Sequence, residues 1–385
     1  MSYALVTLWH ERQRFLPGVL AVAFSALLIA LQCGLLLGLL SVTSIPVDYT
    51  KAHIWIGSQD VLSVDLGQPI PMSFVSRLAE NPEVDPSTIE PFIESFGRWK
   101  NPAGGTELCI VLGSQLEDTA CGAVRALSDA PQLRELLTEP DSVVVDRGEL
   151  ERLGMKAGVG ETAEVNGRRV RVVGLVNGYR SLAGPYIFCS INTARSILRN
   201  NLNSSQSIYL LARCFNVKNA PDVVSRMRAK YDTNVAKRDM SVFTASEFSW
   251  RSQMHWLFKT KAGVAIGYTA LLGLLVGAVV TSQTLYAATV ASLRELAILR
   301  ALGIPRWRMV SAVLSQSFWV GLAGVVISIP TIYGMARLAS IVGAKVLLPQ
   351  WLLGAVACVT LAMAVFAGLF ALRSLRHVEP ASLLR

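Results

Sequence analysis

The residues best suited to do work in this chain lie in one short run, SLRELAILRALGIPRWRM at 292–309. Arg294, Glu295 and Arg300 share a helical stretch there with Leu293, Leu296, Ala297, Leu299 and Leu302. Gly303 then ends the helix and Pro305 opens the next segment, since glycine accepts the left-handed turn at a helix end and proline cannot continue one. A short, basic, amphipathic helix of this kind either rests on anionic lipid or docks a protein partner. Spacing alone favours neither. A second polar run, HVEPASLLR, occupies 377–385.

Other chemistry is missing from the pattern. No G-x-x-x-x-G-K-[ST] phosphate loop, no H-E-x-x-H and no nucleophile elbow occurs. The chain therefore reads as no ATPase by itself, binding no cofactor of its own, and not as an enzyme. His53 and His255 are far apart and read as surface or packing residues, and no metal signature is present. Cys33 and Cys358 fall in apolar stretches, whereas Cys109, Cys121, Cys189 and Cys214 fall in the polar part. An oxidising compartment would let those last four pair in any of three ways. Cys109 with Cys121 is the pairing expected first, and four free thiols are the alternative.

The elements that must position the basic run are membrane spans. Apolar stretches at 16–40, 263–290, 310–336 and 351–372 each reach the ~20 residues needed to cross ~30 Å of hydrocarbon. Only 16% of the residues are charged, well under the ~25% of a soluble domain. The net charge of +9 sits largely beside the spans, which argues against nucleic acid as a partner. His10, Arg12 and Arg14 precede the first span; Arg294, Arg300, Arg306 and Arg308 lie between the second and third; Arg373, Arg376 and Arg385 follow the fourth. The third connection has only Lys345, with Arg337 at its edge. The positive-inside rule thus puts both termini and the basic run in the cytoplasm. Lys259 and Lys261 count weakly against this, but they border a long translocated domain.

The expected layout is a cytoplasmic amphipathic segment at 1–14, a first span at 15–42 read as a retained signal anchor, and an outer domain at 43–261. A second span with a stalk follows at 262–290, then a cytoplasmic helix at 291–309, a third span at 310–336, an outer connection at 337–350, a fourth span at 351–373 and a cytoplasmic tail at 374–385. Gly34 and Gly38, Gly263 and Gly267, and Gly273 and Gly277 have the spacing that lets membrane helices approach. Gln32, Gln283 and Gln316 are the polar residues within the spans, and none holds a central acid or base. That speaks against a proton-driven carrier.

The outer domain reads as mixed α and β. Residues 53–66 are expected extended, 71–81 helical, 107–112 a strand and 131–138 helical. A strand at 141–146, a short helix at 147–153 and a glycine turn at 158–160 come next. Strands at 161–165 and 168–173 flank Asn166-Gly167, a strong hairpin signal. A strand at 208–212 and a helix at 221–231 complete it. Two lobes are expected, one β-rich and one irregular at 92–137.

Residues 294–303 resemble the R-E-x-A-x-L-R-A-L-G segment of the MacB/FtsX/LolC-E superfamily of type VII ABC-transporter permeases, on Arg294, Glu295, Leu296, Leu299, Arg300, Leu302 and Gly303. The tail resembles that superfamily's closing P-x-x-x-L-R on Pro380, Leu384 and Arg385. Residues 143–174 are similar to the β-rich part of its periplasmic core domain. The resemblance implies an α-helical membrane protein with four transmembrane helices plus a mixed α/β extracytoplasmic domain, in a bacterial inner membrane. Within the superfamily, the missing fused ATPase is closest to DevC-type permeases. It further implies a second copy of the chain and a separate cytoplasmic ABC ATPase that holds ATP and Mg. A periplasmic adaptor, an outer-membrane channel and surrounding membrane lipids are the other implied partners. The implied work is mechanotransmission in export of a lipid, glycolipid or amphipathic small molecule. An FtsX-like transmitter controlling a cell-wall hydrolase, and LolC/E-like lipoprotein release, are the alternatives.

Overall fold

The computed structural model describes residues 12–181, 183–199, 202–231, 239–291, 305–341 and 344–374. Its helices in chain order are α1 (Arg12–Thr43), α2 (Ile45–Asp48), α3 (Val75–Ala79), α4 (Arg125–Ser128), α5 (Pro131–Leu137), α6 (Ile191–Ile197), α7 (Ala220–Tyr231), α8 (Ala245–Lys259), α9 (Lys261–Ala291), α10 (Arg306–Ile341) and α11 (Gln350–Ser374). The strands are β1 (Ile54–Gly57), β2 (Ile70–Pro71), β3 (Glu90–Lys100), β4 (Thr106–Ser114), β5 (Ser142–Asp146), β6 (Thr162–Val165), β7 (Arg168–Val176), β8 (Tyr186–Ser190), β9 (Gln206–Ser207), β10 (Tyr209–Ala212) and β11 (Ser241–Thr244). Two compact units result, one of residues 40–260 and one of 1–39 with 261–385.

In the second of these units, Phe15–Thr43, Lys261–Thr284, Val310–Ile341 and Gln350–Leu369 are long and apolar enough to span a membrane. They pack through small residues, as helices in lipid must when no hydrophobic force drives them together. Gly273 and Gly277 of α9 lie against α1: a Cβ on Gly273 would overlap the Gln32 side chain, and one on Gly277 would come 3.3 Å from Ser25 and Ile29. Ser25 Oγ donates to the Gly277 carbonyl at 3.0 Å and receives Thr281 Oγ1 at 2.9 Å. Gly34 and Gly38 serve a different neighbour. They admit the non-helical backbone at 344–349, where Leu347 N donates to Gly34 O at 3.0 Å. A Cβ on Gly38 would strike the Lys345 carbonyl.

The other unit is built on a nine-stranded sheet of order β11-β1-β10-β3-β4-β8-β5-β7-β6, and β6 returns to pair with β3 through Trp99–Val165 and Lys100–Glu164. Strands β3, β4, β8, β5, β7 and β6 therefore close into a ring. β4–β8 and β5–β7 are parallel and the other pairs antiparallel. The Asn166-Gly167 hairpin forms as expected, with φ of 49° and 85°, the left-handed pair that a type I′ turn demands. The main core holds Trp55, Phe92, Trp99, Val144, Phe188 and Tyr209. Trp55 is the hub, edge-on to Phe92 and Tyr209 at 5.4 and 5.5 Å. A second cluster under β1 and β10 is covered by α3 and α7 through Leu78, Val223, Val224 and Met227.

Two expectations fail here. The stretch 92–137 is not a separate irregular lobe, because most of β3 and all of β4 lie in it and sit centrally in the same sheet. Glu90, Pro91, Glu94 and Gly97 disguise β3 as a loop. Pro91 is tolerated because it pairs only towards Leu210 of β10, while β4 joins β3 from Ile93 onwards, so no ladder bond to β4 is lost. Residues 53–66 are extended only over Ile54–Gly57, and 64–66 form a 3-10 turn.

Candidate functional site

The residues expected to meet a partner, Arg294, Glu295, Leu296, Leu299, Arg300, Leu302 and Gly303, lie outside the described residues, as do Pro380, Leu384 and Arg385 and most of the amphipathic segment at 1–14. The described chain frames the first group closely. α9 is described as far as Ala291, and α10 begins at Arg306. Pro305 precedes α10, with its carbonyl accepting from Arg308 N at 3.1 Å. Trp307 is 66% exposed, and the Arg308 guanidinium lies 5.3 Å from its ring. An exposed tryptophan stacked with a cation suits a polar–apolar boundary.

In the outer domain, the chain arriving from α1 and the chain leaving towards α9 are joined. α1 runs unbroken through Thr43, then Ser44 begins a turn into α2. Ser44 is fully buried. Its Oγ donates to Asp48 and receives Gln253 Nε2 of α8 at 2.9 Å. Ser252, the next residue on α8, receives Val64 N at 3.0 Å, and Arg251 Nε donates to Val61 O at 2.8 Å. α8 is thus pinned to the segment that follows the first span. α8 ends at Lys259 and α9 runs unbroken over Lys261–Ala291. At Thr260 the backbone is extended, ψ 145°, while Thr260 Oγ1 bonds back to the Trp256 carbonyl at 2.6 Å. The hydroxyl satisfies a carbonyl that the ended helix leaves open, as β-branched threonine readily does.

The expected disulfide is also absent. Cys109 and Cys121 are both free and buried. Cys109 lies in β4 opposite Gly97, whereas Cys121 turns its thiol to the Thr88 carbonyl at 3.3 Å. Burial pushes the Cys109 thiol up to about 12, and burial followed by the nearby Glu90 charge pushes Cys121 well up too. Neither is a ready nucleophile for exchange.

Two buried acids on β3 went unread in the sequence, because nothing local marks β3 as a strand with an inward face. Glu90, 1% exposed, accepts the Gly122 N–H on Oε1, and its Oε2 has no protein partner. Burial raises its carboxyl to about 7, partly countered by the Gly122 and Cys121 hydrogen bonds. Glu94, 2% exposed, has no protein partner on either oxygen. Burial, then the Asp65 charge, holds it well above the carboxylate range. Asp65 itself accepts from Ser63 Oγ and from Trp256 Nε1 at 3.3 Å. Among the described residues, no group of three metal-ligating His, Cys, Asp or Glu side chains occurs.

Residues 268–380 match the FtsX-like permease C-terminal family. Solved structures similar to the chain include the periplasmic region of MacB from Actinobacillus actinomycetemcomitans, at 13% identity over 51% of this chain and 91% of that one, with a TM-score of 0.35. They also include the extracellular domain of the noncanonic ABC-type transporter YknZ from Gram-positive bacteria, at 9% identity over 50% of this chain and 98% of that one, with a TM-score of 0.31. No curated protein matches the sequence.

Proposed function

We propose that this chain, whose residues 268–380 match the FtsX-like permease C-terminal family, is an ABC-type permease of the MacB/FtsX family that works by mechanotransmission, passing motion from a separate cytoplasmic ATPase to its outer domain. Two copies pair in the inner membrane, with both termini and residues 291–309 on the cytoplasmic side. The ATPase binds ATP and Mg and docks on Arg294, Glu295, Leu296, Leu299, Arg300, Leu302 and Gly303. The cargo is a lipid, glycolipid or amphipathic small molecule, handled outside the membrane with a periplasmic adaptor and an outer-membrane channel, as in DevC-type systems.

The observation that carries this reading is the Ser44–Gln253 hydrogen bond. It joins the chain emerging from an unbroken first helix to α8, so displacement of α1 along its axis pulls on α8 and, through Ser252 and Arg251, on the segment at 61–64. The spans supply no alternative polar path, since their central residues carry no charge.

The test is reconstitution with the partner ATPase. Permease alone should not hydrolyse ATP, and Leu296→Asp with Leu299→Asp should abolish ATPase co-purification while membrane insertion stays intact. An engineered disulfide joining the outer domains of two copies should block export, because a transmitter must change shape to act. Export at the normal rate by the tethered pair would refute mechanotransmission. Restored cell-wall hydrolase activation without export would instead favour the signalling class.

A further inference from the structure

We propose that the cavity between Glu94 and Asp65 in the outer domain is a binding site for a single hard divalent cation. The cavity holds about 10 Å³, room for one water-sized particle. Val42, Thr43, Asp65, Glu94, Tyr186 and Trp256 are among its lining residues. This inference does not depend on the transport reading.

Glu94 stands on β3 opposite Leu112 of β4, on the face that buries Glu90 and Phe92. Neither of its oxygens meets a protein donor or acceptor. An ionised Glu94 would be a buried charge with no counterion, a strongly unfavourable state. A neutral Glu94 would be a buried O–H donor with no protein hydrogen-bond partner, also unfavourable. The protein by itself satisfies neither form.

Asp65 decides between the two remedies. Two donors, Ser63 Oγ and Trp256 Nε1, point at its Oδ1, which suits the acceptor-only carboxylate. A second carboxylate facing the same small cavity then places two negative charges around one space. A cation there neutralises both, whereas a proton on Glu94 neutralises one. Carboxylate oxygens, as Glu94 and Asp65 supply, are the ligand type that Ca²⁺, Mg²⁺ and Mn²⁺ prefer. Asp65 is only half-buried and marks the way in. Val42 and Thr43 end the first helix, and Trp256 lies four residues before the break at Thr260. A cation held there clamps both membrane-directed segments of this domain to β3.

Full-length protein in detergent, stripped with chelator, is titrated with CaCl₂, MgCl₂ or MnCl₂ at constant ionic strength, with KCl as control. Thermal unfolding of the outer domain and Tb³⁺ luminescence sensitised by Trp256 are the readouts. The melting temperature should rise with the logarithm of at least one divalent concentration, as ligand binding to the native state requires, and not with KCl. Glu94→Gln and Asp65→Asn should each weaken that response at least ~10-fold, the lower bound for loss even of a supporting ligand contact. Trp256→Phe should reduce Tb³⁺ luminescence, because the sensitising indole at the cavity is removed. Wild-type unfolding that ignores all three divalents would overturn the proposal, whether or not Glu94→Gln folds. So would a Glu94→Gln protein that melts higher than wild type without cations and keeps the wild-type cation response, since Glu94 would then be a neutral acid held by water.

Discussion

Gln253 Nε2 donates to Ser44 Oγ at 2.9 Å, tying α8 to the first residue beyond α1. Ser44 is fully buried, and it also bonds Asp48. Replacing Gln253 with Ala leaves the buried hydroxyl with one partner fewer, which should cost ~1 kcal/mol by chemical denaturation. The functional effect should be larger. ATP hydrolysis in the assembled complex should persist while export falls, and equal loss of both would assign the contact to stability alone.

The orientation is checked at the hairpin. Asn166 sits in a left-handed turn, φ 49°, joining β6 to β7. A cysteine placed there should react in intact cells with a thiol reagent that cannot cross the membrane. One placed at Ser292 should react only after permeabilisation. The reverse pattern would move the basic run outside and end the docking assignment.

Glu90 supplies a pH signature. Its folded carboxyl titrates at about 7, above the ordinary 4.5, because burial disfavours the charge. The folded state keeps a proton that the unfolded chain releases, so this group's contribution is fully present below pH 4.5 and is lost as pH rises to about 7. Comparing wild type with Glu90→Gln isolates that slope from other carboxylates. Stability of wild type should fall relative to the variant by up to ~3 kcal/mol across that window. Parallel curves would show that Glu90 does not titrate there.

Close packing of α1 on α9 predicts a compensating pair. Gly273→Ala introduces a Cβ where Gln32 lies, so the variant should lose ~1–3 kcal/mol of helix-bundle stability from overpacking. Shortening the obstacle with Gln32→Ala in the same chain should recover most of it. A double variant no better than the single would place the strain elsewhere.

The four spans were legible because uninterrupted apolar length alone answers to the thickness of hydrocarbon. The β6–β7 hairpin was legible because Asn-Gly answers to a backbone angle. The strands at 142–146 and 209–212 announced themselves by Val143, Val144 and Val145 and by Tyr209, Leu210 and Leu211.

Tertiary structure decided what depended on distant partners. β3 carries Glu90, Pro91, Glu94 and Gly97, poor strand formers, and becomes central only because β10, β4 and β6 all pair with it. Gly34 and Gly38 had the spacing of a helix–helix contact, yet they receive the backbone at 344–349. Cys109 and Cys121 lie close in sequence, but one faces the strand ladder and the other the Thr88 carbonyl. Glu94 and Asp65 share a cavity that no spacing could foretell. Local periodicity reports which face of one element is apolar; which elements meet, and which acids they bury together, depends on ladder pairing and close packing between residues far apart in the chain.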